Sequence, residues 1–146
     1  MHISIQRLRE GARLPHRGSD FAAGYDLYAA PASNEAVTIA PHTTAMIGTG
    51  LAAAIPAGYF GGIFARSGLA AKQGLRPANC VGVCDADYRG NYMVALHNDS
   101  DEPRTVKAHE KIAQMIVLPY LPLEFEETDE LSDTIRGEGG FGSTGK

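Results

Sequence analysis

Apolar and polar residues alternate over short runs along most of the chain, and glycine, proline, asparagine or aspartate separates one run from the next. Alternation with a period of two is typical of strands that bury one face, and about eight short strands at this spacing indicate a sandwich or barrel. The runs are ISIQRL, YDLYAA, AVTIA, TAMIGTG, YFGGIFA, YMVALHN, KIAQMIVLPY and LEFEE. The pattern therefore predicts an all-β fold.

One short helix is predicted in the segment SGLAAKQG. Ser67 is expected to cap its start, because a serine hydroxyl can accept a hydrogen bond from a free N–H group of the first turn. Residues 69–73 would form about a turn and a half, and Gly74 would end the helix in a left-handed conformation.

Length and composition fit one domain. The chain has 146 residues, of which 44% are hydrophobic and 21% charged, close to the average for globular proteins. The formal net charge of −4 argues against a nucleic-acid partner, because binding to a phosphate backbone depends on clustered Lys and Arg. We expect residues 1–125 to form the domain and residues 126–146, first acidic and then glycine-rich, to form a flexible C-terminal arm.

A cytoplasmic protein without a membrane partner is expected. The first residues contain no signal-like apolar run, and Pro56 and three glycines interrupt the stretch LAAAIPAGYFGGIF. Cys80 and Cys84 would lie about 13 Å apart on an extended segment, too far for a disulfide. Both are interpreted as reduced core residues.

The C-terminal segment RGEGGFGSTGK contains residue types suited to a nucleotide. Arg136 can fork two bonds to a phosphate, Ser143 and Thr144 can donate hydroxyls, and Phe141 offers a ring for stacking. The sequence GFGSTGK also matches half of a P-loop, but a P-loop needs a strand before it and a helix after it, and neither is predicted here. A disordered, solubilising tail is the alternative.

Two further segments carry candidate chemistry. In ARSGLA, Arg66 and Ser67 precede the predicted helix and could bind an anion; the alternative is a plain helix cap with a surface arginine. In GVCDADYRGNYMV, residues 82–94 predict a β-hairpin that presents Asp85 as a general base and Tyr88 as a flat face for a sugar or base. The alternative there is an ordinary acidic turn.

Five segments, taken together and in order, resemble the five motifs of the trimeric deoxyuridine triphosphatases (dUTPases). They are AGYDLYAA at 23–30, ARSGLA at 65–70, GVCDADYRG at 82–90, KIAQMI at 111–116 and RGEGGFGSTG at 136–145. The resemblance covers nearly the whole chain.

This resemblance implies a distorted jelly roll or β-barrel with one short helix and a flexible arm, assembled as a homotrimer whose three sites each draw motifs from several subunits. It also implies Mg²⁺-dependent hydrolysis of dUTP to dUMP and pyrophosphate, which limits uracil incorporation into DNA. The Mg²⁺ would be held by the triphosphate and water, with no direct protein ligand.

By the same resemblance, Asp85 is the general base that positions and deprotonates the water attacking the α-phosphorus. Tyr88 lies under the deoxyribose and excludes the 2′-hydroxyl of UTP, and Asn79 reads uracil together with backbone groups.

The phosphate oxygens would be held by the second and fourth motifs, while Asp26 orients Arg66. The residues assigned to phosphate are Arg66, Ser67, Gly68 and Gln114. The arm would close over the nucleotide, with Phe141 stacking on uracil and Gly142 between it and the phosphate-binding residues. Those phosphate-binding residues are Arg136, Ser143 and Thr144.

Three positions depart from the family pattern: Ala65 replaces a usual proline, Lys111 a common arginine, and His109 a frequent glycine at a turn. The related dCTP deaminases use a glutamate ten residues after the motif aspartate, where this chain has Ala95, so ring deamination lacks its acid/base group. A catalytically idle nucleotide-binding protein on the same fold would be expected to have lost Asp85 or the arm, and both are present.

Overall fold

The computed structural model describes residues 2–33 and 35–140. Within these ranges it contains twelve strands and a single α-helix, α1, so the all-β class with one short helix is confirmed. In the described part of the chain, no helix has the length and apolar character needed to cross a membrane. The elements are β1 (Ser4–Arg7), β2 (His16–Arg17), β3 (Tyr25–Tyr28), β4 (Val37–Ile39), β5 (Thr44–Gly48), β6 (Leu51–Ala54), β7 (Tyr59–Phe64), α1 (Ser67–Gln73), β8 (Leu75–Pro77), β9 (Val81–Cys84), β10 (Met93–Asn98), β11 (Arg104–Val106) and β12 (Lys111–Pro119).

The described strands form four antiparallel sheets, which together make a distorted jelly roll and do not close into a barrel. Their orders are β1-β6, β5-β10-β8, β11-β4 and β2-β3-β12-β7-β9. The inner faces meet in one core, which explains why alternation was the dominant signal in the sequence. Its largest fully buried side chains include Tyr92, Leu27, Ile39, Ile47, Leu51, Leu96 and Ile112.

The strand β12 lies at the centre of the five-stranded sheet and decides which motifs meet. Its Gln114 pairs in register with Asp26 on β3 and, on the other side, with Phe64 on β7. Because Arg66 follows Phe64 by two residues, three segments far apart in the sequence converge at one end of this sheet.

The helix α1 spans Ser67–Gln73, but Ser67 is not its cap, so that prediction is wrong. Arg66 is the N-cap, with extended backbone angles (φ −90°, ψ 122°) and no capping side-chain hydrogen bond. Its carbonyl accepts from the N–H groups of Leu69 and Ala70, each at 3.0 Å. The predicted end at Gly74 is confirmed, since Gly74 adopts the left-handed conformation with φ 67°.

The hairpin predicted over residues 82–94 is also wrong. The strand β9 pairs with β7, whereas β10 pairs with β5 and β8, so the chain between them crosses from one sheet to another.

The predicted strand LEFEE is wrong as well, because residues 120–128 belong to no strand or helix and are exposed. Phe125 in this segment is 95% exposed.

The two cysteines differ from each other. Cys84 is buried, and the desolvation of its thiol raises its pKa to about 11, so that it stays protonated at neutral pH. Cys80 is exposed and has a positive φ of 60°, so its assignment to the core is wrong.

The turn at His109 has a positive φ of 67°. This conformation explains why glycine is frequent at this position in the family pattern.

Candidate active site

Residues from the loop between β2 and β3, from β3 and β12, and from the junction of β7 with α1 line a cleft of about 260 Å³. Five of the residues singled out in the sequence meet there: Asp26, Arg66, Ser67, Gly68 and Gln114. They belong to three separate motifs. The cleft therefore gathers the residues of the second and fourth motifs that the sequence assigned to phosphate, together with the carboxylate assigned to orienting Arg66.

A buried carboxylate joins two cations at the base of this cleft. Asp26 is only 8% exposed; its Oδ1 accepts a hydrogen bond from Arg66 Nε at 2.8 Å, and its Oδ2 lies 2.7 Å from Lys111 Nζ. Two positive charges against one negative leave a net charge of +1 from these three side chains. Such an excess favours an anionic ligand.

The amide of Gln114 is fixed from two directions. Its Nε2 donates to the carbonyl of Ala65 at 2.9 Å. On the opposite side its Oε1 packs against Gly24, where a Cβ atom would collide with it. Gly24 thus allows β3 to approach the glutamine closely, and the side chain is held in one orientation.

Asp85 and Tyr88 lie in the loop that follows β9, and both are exposed. The ring of Tyr88 stacks on that of Tyr92, with centroids 6.0 Å apart and an interplanar angle of 16°. Its hydroxyl donates to the carbonyl of Asn91 at 3.1 Å, and its backbone N–H donates to the carbonyl of Asp85 at 3.2 Å. The Tyr88 ring is therefore held in a fixed position in the loop that begins at Asp85.

Tyr92 provides the buried support for that ring. It is 1% exposed, and desolvation of its phenol raises its pKa to about 12, so it remains neutral across the physiological range. Asn79 is exposed in the loop before β9, and its amide reaches toward Gly82, where an added Cβ would lie 3.3 Å from Nδ2.

A profile of the family described as dUTPase matches residues 10–145. The chain belongs to the dUTPase family. It is 47% identical over 145 residues to the deoxyuridine 5′-triphosphate nucleotidohydrolase of a Picosynechococcus species, covering 99% of each chain.

Solved dUTPase structures share this fold. The dUTPase of Staphylococcus bacteriophage 80alpha, determined with dUpNHpp, superposes with a TM-score of 0.85 at 31% identity, covering 99% of both chains. A mutant dUTPase from phage phi11 of S. aureus, described with a structural Mg(II) ion, gives a TM-score of 0.78 at 28% identity, covering 89% of this chain and 98% of that one.

Within the described residues of this dUTPase-family chain, the structure does not bring all of the candidate residues together. Asp85, Tyr88, Asn79 and Arg136 do not line the cleft around Arg66. Arg136 instead donates from Nε to the carbonyl of Gly139 at 2.7 Å, within a short turn. The remaining arm residues of the prediction lie outside the described residues: Phe141, Gly142, Ser143 and Thr144.

Four residues that line this cleft were not assigned to the site from the sequence: Gly18, Ala22, Gly24 and Lys111. Lys111 was noted only as a departure from the motif, and Gly24 drew no attention. A lysine at the start of a strand carries no signal of its own, because its partner Asp26 is 85 residues away in the sequence. The glycine immediately before YDLY was the available clue, since glycine inside a strand pattern often marks a close approach.

Proposed function

We propose that this chain hydrolyses dUTP to dUMP and pyrophosphate, with Mg²⁺, by attack of water on the α-phosphorus. Hydrolysis of dUTP to dUMP follows from membership of the dUTPase family. The observation that carries the finer proposal is the cleft itself, in which Arg66, Ser67, Gly68 and Gln114 surround a net positive charge. The reaction would remove dUTP, which limits uracil incorporation into DNA, and supply dUMP.

The cleft binds the phosphates of the nucleotide. Arg66 uses only Nε for Asp26, which leaves the outer edge of its guanidinium for phosphate oxygens. Because Arg66 and not Ser67 is the N-cap, the Ser67 hydroxyl is not used as a cap and can donate to the ligand. Ser67 and Gly68 also carry N–H groups of the kind that the first turn of a helix leaves without intrahelical partners.

The donor set of the cleft fits a magnesium ion carried by the triphosphate. Both oxygens of Asp26 are engaged by cations, and within the described residues no group of three or more His, Cys, Asp and Glu side chains could hold a metal ion. The triphosphate and water would hold the Mg²⁺, which would supply positive charge that offsets part of the charge of the triphosphate.

Asp85 acts as the general base. Its carboxylate is exposed at the end of β9, where it can accept a hydrogen bond from a water molecule lying beside the nucleotide. As the water oxygen bonds to the α-phosphorus, its proton passes to Asp85 and the bond to the pyrophosphate oxygen breaks. Pyrophosphate leaves, while dUMP retains the oxygen of the water.

The site is shared between copies of the chain in a homotrimer. In one chain, the cleft around Arg66 does not include Asp85 or Tyr88, so a second copy supplies them. Large apolar side chains available for such contacts include Met46, 61% exposed, and Val83, 62% exposed. Asn79 and neighbouring backbone groups read uracil, since a base with reversed donors and acceptors would leave them unpaired.

The arm, residues 126–146, closes over the bound nucleotide. Phe141 stacks on uracil, with Gly142 beside it, and Arg136, Ser143 and Thr144 hold the outer phosphates. Ordering each residue of such a segment costs about 1–2 kcal/mol, so closure needs a highly charged ligand.

Gly90→Ala is expected to weaken the discrimination between dUTP and UTP by about tenfold. A Cβ atom at Gly90 would collide with the Tyr88 hydroxyl and lie 2.6 Å from Cζ, so the ring must leave its position on Tyr92. A displaced ring no longer fills the space where a 2′-hydroxyl would lie, and one lost steric or polar contact is worth roughly 1–3 kcal/mol. The ratio of kcat/KM for the two nucleotides measures this effect. An unchanged ratio in a folded Gly90→Ala protein would contradict the role of Tyr88.

The proposed function is tested by incubating the purified protein and Mg²⁺ separately with dUTP, dCTP, dTTP and UTP, followed by product analysis. Release of dUMP and pyrophosphate from dUTP alone is expected. Turnover of UTP or dCTP at a similar rate would refute the assignment of sugar or base recognition, and no turnover of dUTP would refute the function.

A further inference from the structure

A β-bulge brings Lys111 to the same face of the sheet as Asp26 and Gln114. In a regular strand, residues 111 and 114 would point to opposite faces, because side chains alternate with a period of two. The pairing of β12 with β3 shifts between Lys111 and Ala113, so that Lys111 lies opposite Tyr28 and Ala113 opposite Leu27. The extra residue, Ile112, and its neighbour Ala113 are both buried, at 1% and 0% exposure. The bulge therefore re-aims one side chain, which is what bulges at sites commonly do.

As a result, the two carboxylate oxygens of Asp26 contact two different cations. Asp26 gives Oδ1 to Arg66 Nε and Oδ2 to Lys111 Nζ. Among the described residues, the Nη atoms of Arg66 donate no hydrogen bond to any partner. The arginine is thus held at its inner nitrogen alone, with the edge that faces the cleft left for a ligand.

A second arginine–aspartate pair in the same chain shows the alternative geometry. Arg76 binds Asp99 with two parallel bonds, Nε to Oδ2 at 2.6 Å and Nη2 to Oδ1 at 3.0 Å. Among the described residues no lysine competes for Asp99; His97 also lies near it, with Nε2 3.5 Å from Oδ1. The two-pronged pair is the strong arrangement that arginine and carboxylate adopt when both oxygens are available.

We propose that Lys111 is a positioning residue: by occupying Oδ2 of Asp26 it prevents a two-pronged pair with Arg66 and keeps the Nη groups of that arginine available for phosphate. The inference rests on the proposed function, because it assumes that the ligand of the cleft is a polyphosphate. Lys111 acts through Asp26 and Arg66 and need not touch the ligand.

The test uses Lys111→Met and inorganic tripolyphosphate, whose binding requires no turnover. Removing the ammonium frees Oδ2, Arg66 turns to a two-pronged pair, and one charge-assisted hydrogen bond to the ligand is lost. We expect the Kd for tripolyphosphate and the KM for dUTP each to rise about tenfold, while kcat changes less than about threefold. A merely structural loss would lower the apparent kcat through loss of folded protein and leave KM unchanged.

Matched variants show whether a cation is needed at position 111, and NMR of Arg66 then separates the positioning role from the loss of charge in the cleft. Lys111→Arg should restore both constants to within about threefold of wild type, since a guanidinium also engages Oδ2. Lys107→Met removes an exposed lysine four residues earlier, outside the cleft, and should change neither constant. If Lys111→Met does not fold, Lys111→Leu also removes the ammonium without supplying another donor, and a rise of at least about threefold in Kd is expected.

Nitrogen-15 NMR of the Arg66 guanidinium, assigned by its disappearance in Arg66→Lys, gives an independent signature. A two-pronged pair slows rotation about the Nε–Cζ bond, so resolved Nη signals should appear in Lys111→Met. Unchanged Kd and KM in the folded Met or Leu variant, or failure of arginine to restore them, overturns the inference. If wild type binds tripolyphosphate as expected but does not hydrolyse dUTP, the proposed function fails while the role of Lys111 in the anion cleft stands; if wild type binds no tripolyphosphate, the inference itself fails.

Discussion

Asp85→Asn is expected to lower kcat for dUTP by about three orders of magnitude, within the usual contribution of a general base, and to leave nucleotide affinity nearly unchanged. The amide has the shape of the carboxylate but cannot take a proton from water at neutral pH. Because Asp85 is exposed and, within the described residues, its hydrogen bond with Tyr88 is made by the backbone, replacing its side chain should not disturb the fold. Pyrophosphate release measures kcat, and calorimetry with the non-hydrolysable analogue dUpNHpp measures binding.

Asp87→Asn is the matched control, because Asp87 is an exposed carboxylate in the same loop, two residues further along the chain. It should retain kcat to within about threefold, since it changes charge without touching the base. If Asp85→Asn kept more than about a tenth of the wild-type kcat, the base would have to be sought elsewhere.

Removing residues 136–146 is expected to lower kcat/KM for dUTP about a hundredfold or more while leaving the domain folded. Arg136, Ser143 and Thr144 would no longer contact the phosphates, and each bond to a charged group contributes roughly 1.5–3 kcal/mol. The domain should tolerate the deletion, because residues 121–138 are exposed and supply no side chain to the core. Steady-state kinetics and thermal unfolding of the truncated protein test both parts.

Glu127→Gln serves as the control for this deletion, since it changes an exposed carboxylate before the deleted segment and keeps residues 136–146. Its kcat/KM should match wild type. A truncated protein with full activity would refute the closing arm, whereas a fall of more than about 10 °C in Tm would show that the segment belongs to the folded domain, since such a fall corresponds to a loss of more than 1 kcal/mol.

Local patterns predicted the elements whose causes are local. Alternating runs such as TAMIGTG and YMVALHN became β5 and β10, because each buries one face on the same core. Gly74 ends the helix for a reason visible in the sequence, namely that glycine adopts the left-handed conformation without strain. The motif residues Asp26, Arg66 and Gln114 could be placed in one site because the family resemblance carries spatial information that a single strand pattern lacks.

The wrong predictions concern features that depend on contacts between segments far apart in the sequence. Residues 82–94 look like a hairpin, but β9 finds its partner in β7 and β10 in β5, and nothing in the local sequence specifies those partners. The N-cap was predicted at Ser67 but is Arg66, because the chain enters α1 directly from β7 and Arg66 keeps an extended conformation. LEFEE alternates like a strand yet pairs with nothing in the described chain, which shows that alternation predicts a strand only where an edge is available to receive it.

The bulge at residues 111–113 could not be predicted from the sequence. Strict alternation places Lys111 away from Gln114, and only the paired register reveals that both lie over Asp26. A one-residue irregularity thus changes which face a side chain occupies and, with it, which residues belong to the site.

The most direct test of the central claim is hydrolysis of dUTP in water enriched in oxygen-18, with mass analysis of both products. Attack on the α-phosphorus predicts one oxygen-18 in dUMP and none in pyrophosphate. Oxygen-18 in pyrophosphate, or in free phosphate with dUDP as the other product, would contradict the account, because the reacting phosphorus would then not be the one beside which Asp85 is placed.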